Sequence, residues 1–223
     1  MYRQWIHELN KGTRAVTSVP YDSSDMAFRV VIFQGSCRNG RMGDRVVQMV
    51  SNALTTRKHT VTVLDQKELE GQDVSLLKQP LHFYPDPTQA PEILQSLNSK
   101  IQEADALVFV TAEYNATCPP GLLNLIDHFP PASFAYKPSS IIAYSMGPFG
   151  GIRAAAALRP VLSEIGTVSV QSQVVIPTVQ DALSEAGEPT ERVAKNLKKC
   201  LDSLEWYADA FKMKKARSGL PQN

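Results

Sequence analysis

The strongest constraint on the fold is a repeated alternation of short apolar runs with longer amphipathic segments. Five runs favour β-strands: FRVVIF (28–33), TVTVLD (60–65), ALVFVT (106–111), SSIIAYS (139–145) and TVSVQSQVV (167–175). The inner runs are nearly continuous in Val, Ile and Phe, which is typical of parallel strands covered on both faces. The sequence therefore predicts a five-stranded parallel sheet.

Helical patterns lie between these runs, at about 44–56, 91–104, 119–129 and 150–166, and a longer one lies near 190–213. This alternation predicts a doubly wound α/β sheet with helices on both faces. Pro160 falls inside the fourth helical pattern. Because proline lacks a backbone donor and clashes one turn back, we expect it to kink or split that helix.

Length and composition suit one domain, since the chain has 223 residues with 43% hydrophobic and 20% charged content. We expect the domain to span 28–213, between a partly disordered N-terminal extension (1–27) and a C-terminal tail (214–223). The stretch 76–91 contains four prolines. It predicts a long ordered loop that serves as a lid, as an interface arm or as a packed connection.

Charge and cysteine content limit the partners and the location. Twenty-three basic residues against 22 acidic give a net charge of +1, so there is no broad attraction to nucleic acid or to an anionic membrane. No stretch approaches the roughly 18 apolar residues of a membrane span. Cys37, Cys118 and Cys200 are widely spaced without a CxxC pattern, which favours reduced thiols. We expect a cytoplasmic protein whose partners are small molecules or protein.

Three predicted strands end in unusual loops: GSCRNGRMG after the first, TAEYNATCPPG after the third and SMGPFGG after the fourth. Ligands of open α/β sheets bind at the carboxyl ends of the strands, beside the point where strand order reverses. All three loops are expected at that edge. The sequence therefore predicts the functional site there.

The loop after the first strand has the Gly-x4-Gly frame of a nucleotide triphosphatase, but Arg41 and Met42 replace its Lys and Ser/Thr. Without that hydroxyl the loop cannot hold Mg²⁺ in the triphosphatase manner. Ser36, Arg38, Arg41 and the start of the next helix could instead bind a monophosphate without a metal ion. The alternative is an arginine-bearing solvated turn.

The loop after the fourth strand contains AYSMG (143–147), one residue away from a serine hydrolase nucleophile motif. Such a hydrolase on this fold needs a histidine later in the chain, and all four histidines precede Ser145. Two interpretations remain, namely a plain strand-to-helix turn and a glycine-lined surface for a flat ligand. Gly147, Gly150 and Gly151 favour the second, because glycine lets a ring lie against the main chain.

The loop after the third strand offers the Tyr114 ring and backbone N–H groups at 113–115 that could contact a heterocycle. An exposed turn is the alternative for these residues taken singly. A phosphate loop, a polar aromatic loop and a glycine-lined loop on one edge together predict a mononucleotide with a flat ring system. FMN is the obvious candidate.

Three motifs carry a resemblance to a known family: GSCRNGRMG, AEYNATCPPGLLNLID and SMGPFGGIRAAAALRPVL. From about residue 28 to 205 the chain resembles the NADPH-dependent FMN reductases, flavodoxin-like proteins that include quinone, azo-dye and chromate reductases. The resemblance implies sheet order 2-1-3-4-5 and an FMN-binding homodimer or homotetramer. It implies that nine residues contact FMN: Ser36, Arg38 and Arg41 at the phosphate; Glu113, Tyr114 and Asn115 along the isoalloxazine, largely through main chain; and Ser145, Gly147 and Gly150 along its other side.

The resemblance implies electron transfer as hydride from NADPH or NADH through bound FMN to a quinone or a similar electron-poor acceptor. The flavin carries that chemistry, so no catalytic side chain and no metal site is named. Two departures stand out, Ala112 in place of the family's Pro and Leu123 in place of its Lys. The alternatives are a flavodoxin-like electron carrier or FMN-responsive interaction protein, and a scaffold that has lost its flavin.

Overall fold

The predicted alternation of strands and helices is present in the computed structural model, which describes residues 26–69, 71 and 75–221. The strands are β1 (Arg29–Gln34), β2 (Thr60–Asp65), β3 (Ala106–Ala112), β4 (Pro138–Tyr144), β5 (Val168–Ser169) and β6 (Val174–Ile176). The helices are α1 (Gly43–Thr56), α2 (Glu92–Glu103), α3 (Pro120–Asp127), α4 (Pro131–Phe134), α5 (Ile152–Glu164), α6 (Val179–Ala182) and α7 (Glu191–Ser218).

The sheet runs β2-β1-β3-β4-β5, and every pairing in it is parallel. Val30 of β1 lies between Val61 of β2 and Ala106 of β3. Every residue of β3 and β4 is buried, including the polar Thr111, Ser139 and Ser140, as expected of strands covered on both faces. The predicted order 2-1-3-4-5 is confirmed.

The predicted fifth strand, 167–175, consists of two short strands, β5 and β6. Both pair with β4, β5 near its start at Pro138 and β6 near its end at Tyr144. Residues 170–173 lie between them outside the ladder. The fifth position of the sheet is therefore filled by an interrupted strand.

Two apolar layers cover the sheet. On one face Phe33 and Phe109 stack with ring centroids 4.7 Å apart, beneath α2 to α5. On the other face Ile32 and Val108 pack beneath α1 and α7. Successive strand residues alternate between the layers, as the period of two in a β-strand requires.

Pro160 does not split the helix, because α5 continues through it from Ile152 to Glu164, and a kink at this position stays a prediction. The carbonyl deprived of a donor is that of Ala156, which lies on the exposed side of the helix where water can reach it.

The termini and the long loop differ in how far the structure describes them. Helix α7 reaches Ser218, five residues beyond the predicted helix end at 213, and the predicted extension lies outside the described residues except for 26 and 27. The loop 76–91 contains short 3-10 turns at Leu81–Phe83 and Pro87–Gln89. The Leu81 N–H donates to the His128 carbonyl at 2.8 Å, which favours the packing role for this loop. No helix in the described ranges is long and apolar enough to cross a membrane.

Candidate functional site

The three strand-end loops enclose a cleft of about 710 Å³ at the carboxyl ends of β1, β3 and β4. These strands are neighbours, so their loops meet as expected. Eight of the nine predicted contact residues line the cleft: Ser36, Arg38, Arg41, Glu113, Tyr114, Asn115, Ser145 and Gly147. The ninth, Gly150, is not among the lining residues.

The first turn of α1 forms one end of the cleft. Its N-cap residue, Met42, makes no side-chain capping hydrogen bond, so the first N–H groups of the helix are not satisfied in that way. The Ser36 hydroxyl lies 2.7 Å from the Tyr114 hydroxyl and joins this loop to the loop after β3. This end of the cleft combines hydroxyl groups with the positive end of a helix dipole, which suits an anion.

The two arginines of this loop differ in their surroundings. Arg38 is exposed, and its guanidinium carbon lies 3.7 Å from the centroid of the Tyr114 ring. This stacked arrangement leaves the guanidinium edge open to a ligand. Within the described residues Arg38 has no ion-pair partner.

Arg41, in contrast, is enclosed, with its side chain only 8% exposed. It pairs with both carboxylate oxygens of Asp65 at the end of β2, donates from Nε to Asp44 at 2.7 Å and also donates to the Ser36 carbonyl. The hydrogen bond to Asp65 raises the pKa of Arg41 above its ordinary value. Four guanidinium hydrogen bonds thus hold the loop in shape, and direct contact of Arg41 with a phosphate stays a prediction.

The loop after β3 is a tight turn from Tyr114 to Thr117. The Tyr114 N–H donates to Thr117 O at 2.9 Å, and the Thr117 N–H donates back at 3.0 Å. Asn115 and Ala116 both have positive φ, at 50° and 66°, as a type I′ turn requires. The turn does not use the N–H groups of these two exposed residues, which remain available to a ligand.

Glu113 is held by an arginine that sequence reasoning did not single out. Arg153, in the first turn of α5, donates from Nε at 2.6 Å and from its backbone N–H at 3.2 Å to the two carboxylate oxygens. The Glu113 side chain is 6% exposed. This ion pair joins the loops after β3 and β4, and Arg153 also lies over the Phe149 ring at 5.0 Å.

The loop after β4 uses its glycines in two ways. Gly147 faces the cleft, and a Cβ atom there would meet nothing within 4 Å. Gly150 packs against β6 instead, where a Cβ would come within 2.7 Å of the Pro177 nitrogen, and its φ is +63°. Close packing against the backbone explains why glycine occupies position 150, so the predicted flavin contact of Gly150 has no support in the geometry.

Sequence reasoning also missed Tyr144, Met146 and Phe149, which line the cleft. Met146 and Phe149 are 63% and 60% exposed at its mouth. The Tyr144 hydroxyl is buried, and burial raises the pKa of Tyr144. Phe149 and Arg153 lie in the third motif, which was the only sequence signal for them.

Comparison with known proteins is consistent with this geometry. The model of the family described as NADPH-dependent FMN reductase matches residues 28–181. An NADPH azoreductase of Bacillus sp. (strain OY1-2) is 26% identical over 165 residues, 74% of this chain and 91% of the relative. A quinone reductase of Escherichia coli (strain K12) is 41% identical over 75 residues, 32% of this chain and 40% of that protein.

A similar solved structure is FerB, a flavoenzyme NAD(P)H:(acceptor) oxidoreductase from Paracoccus denitrificans. It superposes with a TM-score of 0.67 at 24% identity, over 83% of this chain and 99% of FerB. At that level of identity the likeness shows the fold, and it agrees with the observed sheet order.

Proposed function

The chain belongs to the NADPH-dependent FMN reductase family, and on that premise we propose that it carries electrons from NAD(P)H through FMN bound in the cleft to a quinone or a similar electron-poor acceptor. The observation that carries the proposal is one end of the cleft, where the uncapped start of α1 lies beside the Ser36 hydroxyl and Arg38. Helix N–H groups, a hydroxyl and a guanidinium edge are the donors that a phosphate dianion needs.

The residues present fit the phosphate of FMN. Arg38 can turn its guanidinium edge to the phosphate while its face stays on Tyr114. Arg41 acts differently, since its ion pair with Asp44 offsets the negative charge of that residue in the first turn of α1. We assign Arg38 and Ser36 to binding and Arg41 to shaping the loop.

The other end of the cleft fits a flat ring. The turn at Asn115 and Ala116 presents backbone N–H groups, and Gly147 leaves open space on the opposite side. The Glu113–Arg153 ion pair fixes both borders relative to one another. Main-chain donors from a rigid turn are suited to the polar edge of an isoalloxazine, and the ring face stays accessible.

FMN held by Ser36 and Arg38 would supply the hydride chemistry between NAD(P)H and the acceptor, so the chemistry of electron transfer would belong to the cofactor. The chain binds the phosphate, orients the ring and limits access to it. Met146 and Phe149 supply exposed apolar surface at the mouth, where a nicotinamide or a quinone ring can lie. This apolar mouth supports a flat, electron-poor acceptor.

We further propose a cytoplasmic homodimer. Ile152 is 40% exposed and extends the apolar surface of Met146 and Phe149 beside the cleft, which supports contact with a second copy. Leu123, which departs from the family pattern, packs against the core. Light scattering after gel filtration measures the number of subunits, and cell fractionation tests the cytoplasmic location.

The decisive experiment is a visible spectrum of the purified protein with added FMN, followed by anaerobic addition of NADPH or NADH and then of a benzoquinone. We expect a stable yellow complex that bleaches with a nicotinamide nucleotide and recovers with the quinone. A bound flavin that neither nucleotide bleaches would instead support an electron carrier. A protein that takes up no FMN would reject both activities.

A further inference from the structure

A second cavity, of about 620 Å³, opens at the amino ends of the strands, opposite the cleft. We call it the groove. Its walls are the last half of α7 with residues 219–221 after it, residues 102–105 before β3 and residues 132–137 before β4. The groove therefore shares no residue with the proposed FMN site.

The groove combines apolar surface with unmatched positive charge. Its apolar lining includes Ala104, Ala132, Ala135, Ala208, Phe211, Leu220 and Pro221. Its charged lining, within the described residues, consists of Lys137, Lys212, Lys214, Lys215 and Asp105. Four cations therefore face one carboxylate, and Asp105 already accepts a hydrogen bond from the Arg29 N–H at 2.8 Å.

Lys137 is the most enclosed of these cations. Its Nζ donates to the carbonyls of Gln102 at 2.7 Å and Ala104 at 3.0 Å, at the end of α2. A neutral amine has two N–H groups, which these two carbonyls satisfy, and its lone pair is then free to react. A charged ammonium group would carry a third proton for which the described residues offer no acceptor.

The surrounding charges act in the same direction. The pKa of Lys137 is lowered to about 8, mainly by burial and also by Lys215 and Arg29, whereas Asp105 opposes them. Lys212 lies 3.9 Å from Asp105, and Arg29 pairs with Glu103 at 3.4 Å. A lysine desolvated beside other cations is the usual form of a nucleophilic amine.

We propose that Lys137 is a reactive amine in a site for small anionic aldehydes. The lysines of α7 attract the anionic group, and the apolar body of the ligand packs against Phe211 and Leu220. The neutral Nζ attacks the carbonyl carbon, and the resulting carbinolamine loses water to form an imine. One C–N double bond replaces one C–O double bond, the oxygen leaves as water, and no oxidant or reductant is consumed.

Pyridoxal 5′-phosphate is a suitable probe, since it is an aldehyde that carries a dianion. The FMN-loaded protein is incubated at pH 7.5 with a small excess of the probe and cyanoborohydride, which reduces the imine to a stable amine. Peptide mass spectrometry then gives the labelling rate of each lysine. Lys195, exposed on α7 outside the groove, is the internal reference.

At pH 7.5 a lysine of pKa about 8 is roughly one-quarter neutral, whereas one at the ordinary 10.5 is roughly one-thousandth neutral. Because an amine of lower pKa is also a weaker nucleophile, we expect Lys137 to be labelled at least about tenfold faster than Lys195. Pyridoxal without its phosphate should lose most of that advantage, since it lacks the anion.

Two variants test the assignment. Lys137→Arg keeps the charge but cannot form an imine, so the fast phase should disappear. Lys215→Gln removes a neighbouring cation and should slow labelling of Lys137, with the midpoint of the rate-against-pH curve moved above 8. Labelling of Lys137 no faster than Lys195, or equal rates with pyridoxal and its phosphate, would overturn the proposal. NADPH oxidation by the Lys137→Arg variant should be unchanged, so this result does not depend on the function proposed for the cleft.

Discussion

The cleft and the groove lie at opposite ends of the same sheet and treat charge in opposite ways. In the cleft, Arg41 is paired with Asp65 and Asp44, and Arg153 is paired with Glu113. The Arg41–Asp65 and Arg153–Glu113 pairs join separate segments, so their charge fixes the shape of the cleft. In the groove, Lys137 rests on carbonyl groups beside other cations. Paired charges therefore make the cleft a rigid binding surface, whereas unmatched positive charge gives the groove a reactive amine.

Breaking the pairing in the cleft should have the largest effect. Arg41→Ala leaves the nearly buried Asp65 carboxylate without its cation, and loss of one partner from such a pair costs about 3 kcal/mol of unfolding free energy. Urea denaturation measures this loss of unfolding free energy. Lys198→Ala, in an exposed pair with Asp202, is the control and should cost about 0.5 kcal/mol. Equal losses for the two variants would contradict the structural role of Arg41.

The two glycines of the loop after β4 separate packing from binding. Gly150→Ala places a Cβ against the Val175 side chain and the Pro177 backbone at a positive φ, and should destabilise the fold by about 2 kcal/mol. Gly147→Ala adds a methyl group in open space and should leave the unfolding free energy unchanged while it weakens FMN binding. Denaturation and flavin fluorescence titration measure the two effects. The reverse pattern would show that the assignments are exchanged.

A third test concerns Arg38, the one cleft arginine that pairs with no carboxylate among the described residues. Arg38→Ala removes a charge-assisted hydrogen bond to the phosphate, worth about 1.5–3 kcal/mol, so the FMN dissociation constant should rise at least about tenfold. The unfolding free energy of the FMN-free protein should stay within about 0.5 kcal/mol of the original, since the side chain is exposed. Addition of EDTA should not change FMN affinity. Sensitivity to EDTA would point to a metal-assisted site.

The groove makes a smaller prediction about pH. The pKa of Lys137 is near 8 in the folded protein and near 10.5 in the unfolded chain. The unfolded chain therefore binds more protons between these values, and the folded state gains stability as pH rises from about 8 to 10.5. Lys137→Gln should lack this gain. Unfolding free energies of both proteins at pH 7.5 and pH 9.5 give the difference, and parallel changes would argue against an unmatched cation.

The sequence predicted the layout of the cleft better than the roles within it. Strand positions follow from local apolar runs, and all three loops meet because parallel strands end together. The different roles of Arg38 and Arg41 depend on Asp65, which lies 24 residues after Arg41 and reaches it only through the pairing of β1 with β2. Such a tertiary contact has no local sequence signature.

Other differences have similar causes. The sequence of this glycine-rich loop does not distinguish Gly150 from Gly147. The position of β6 shows that a Cβ atom would clash at Gly150 and not at Gly147. Arg153 was overlooked because its partner, Glu113, belongs to another loop. The groove was not predicted at all, since its walls come from three segments far apart in the chain.

The interrupted fifth strand limits how the sheet can grow. An uncovered edge strand can recruit a strand from another molecule and start aggregation. Here that edge offers only the two residues of β5 and the three of β6. Between them Arg159 donates to the carbonyls of Val170 and Gln171, both at 3.4 Å, and Cys200 donates to that of Ser172. An incoming strand would find these carbonyls between β5 and β6 already hydrogen-bonded to side chains, so this edge of the sheet disfavours pairing with a strand of another molecule.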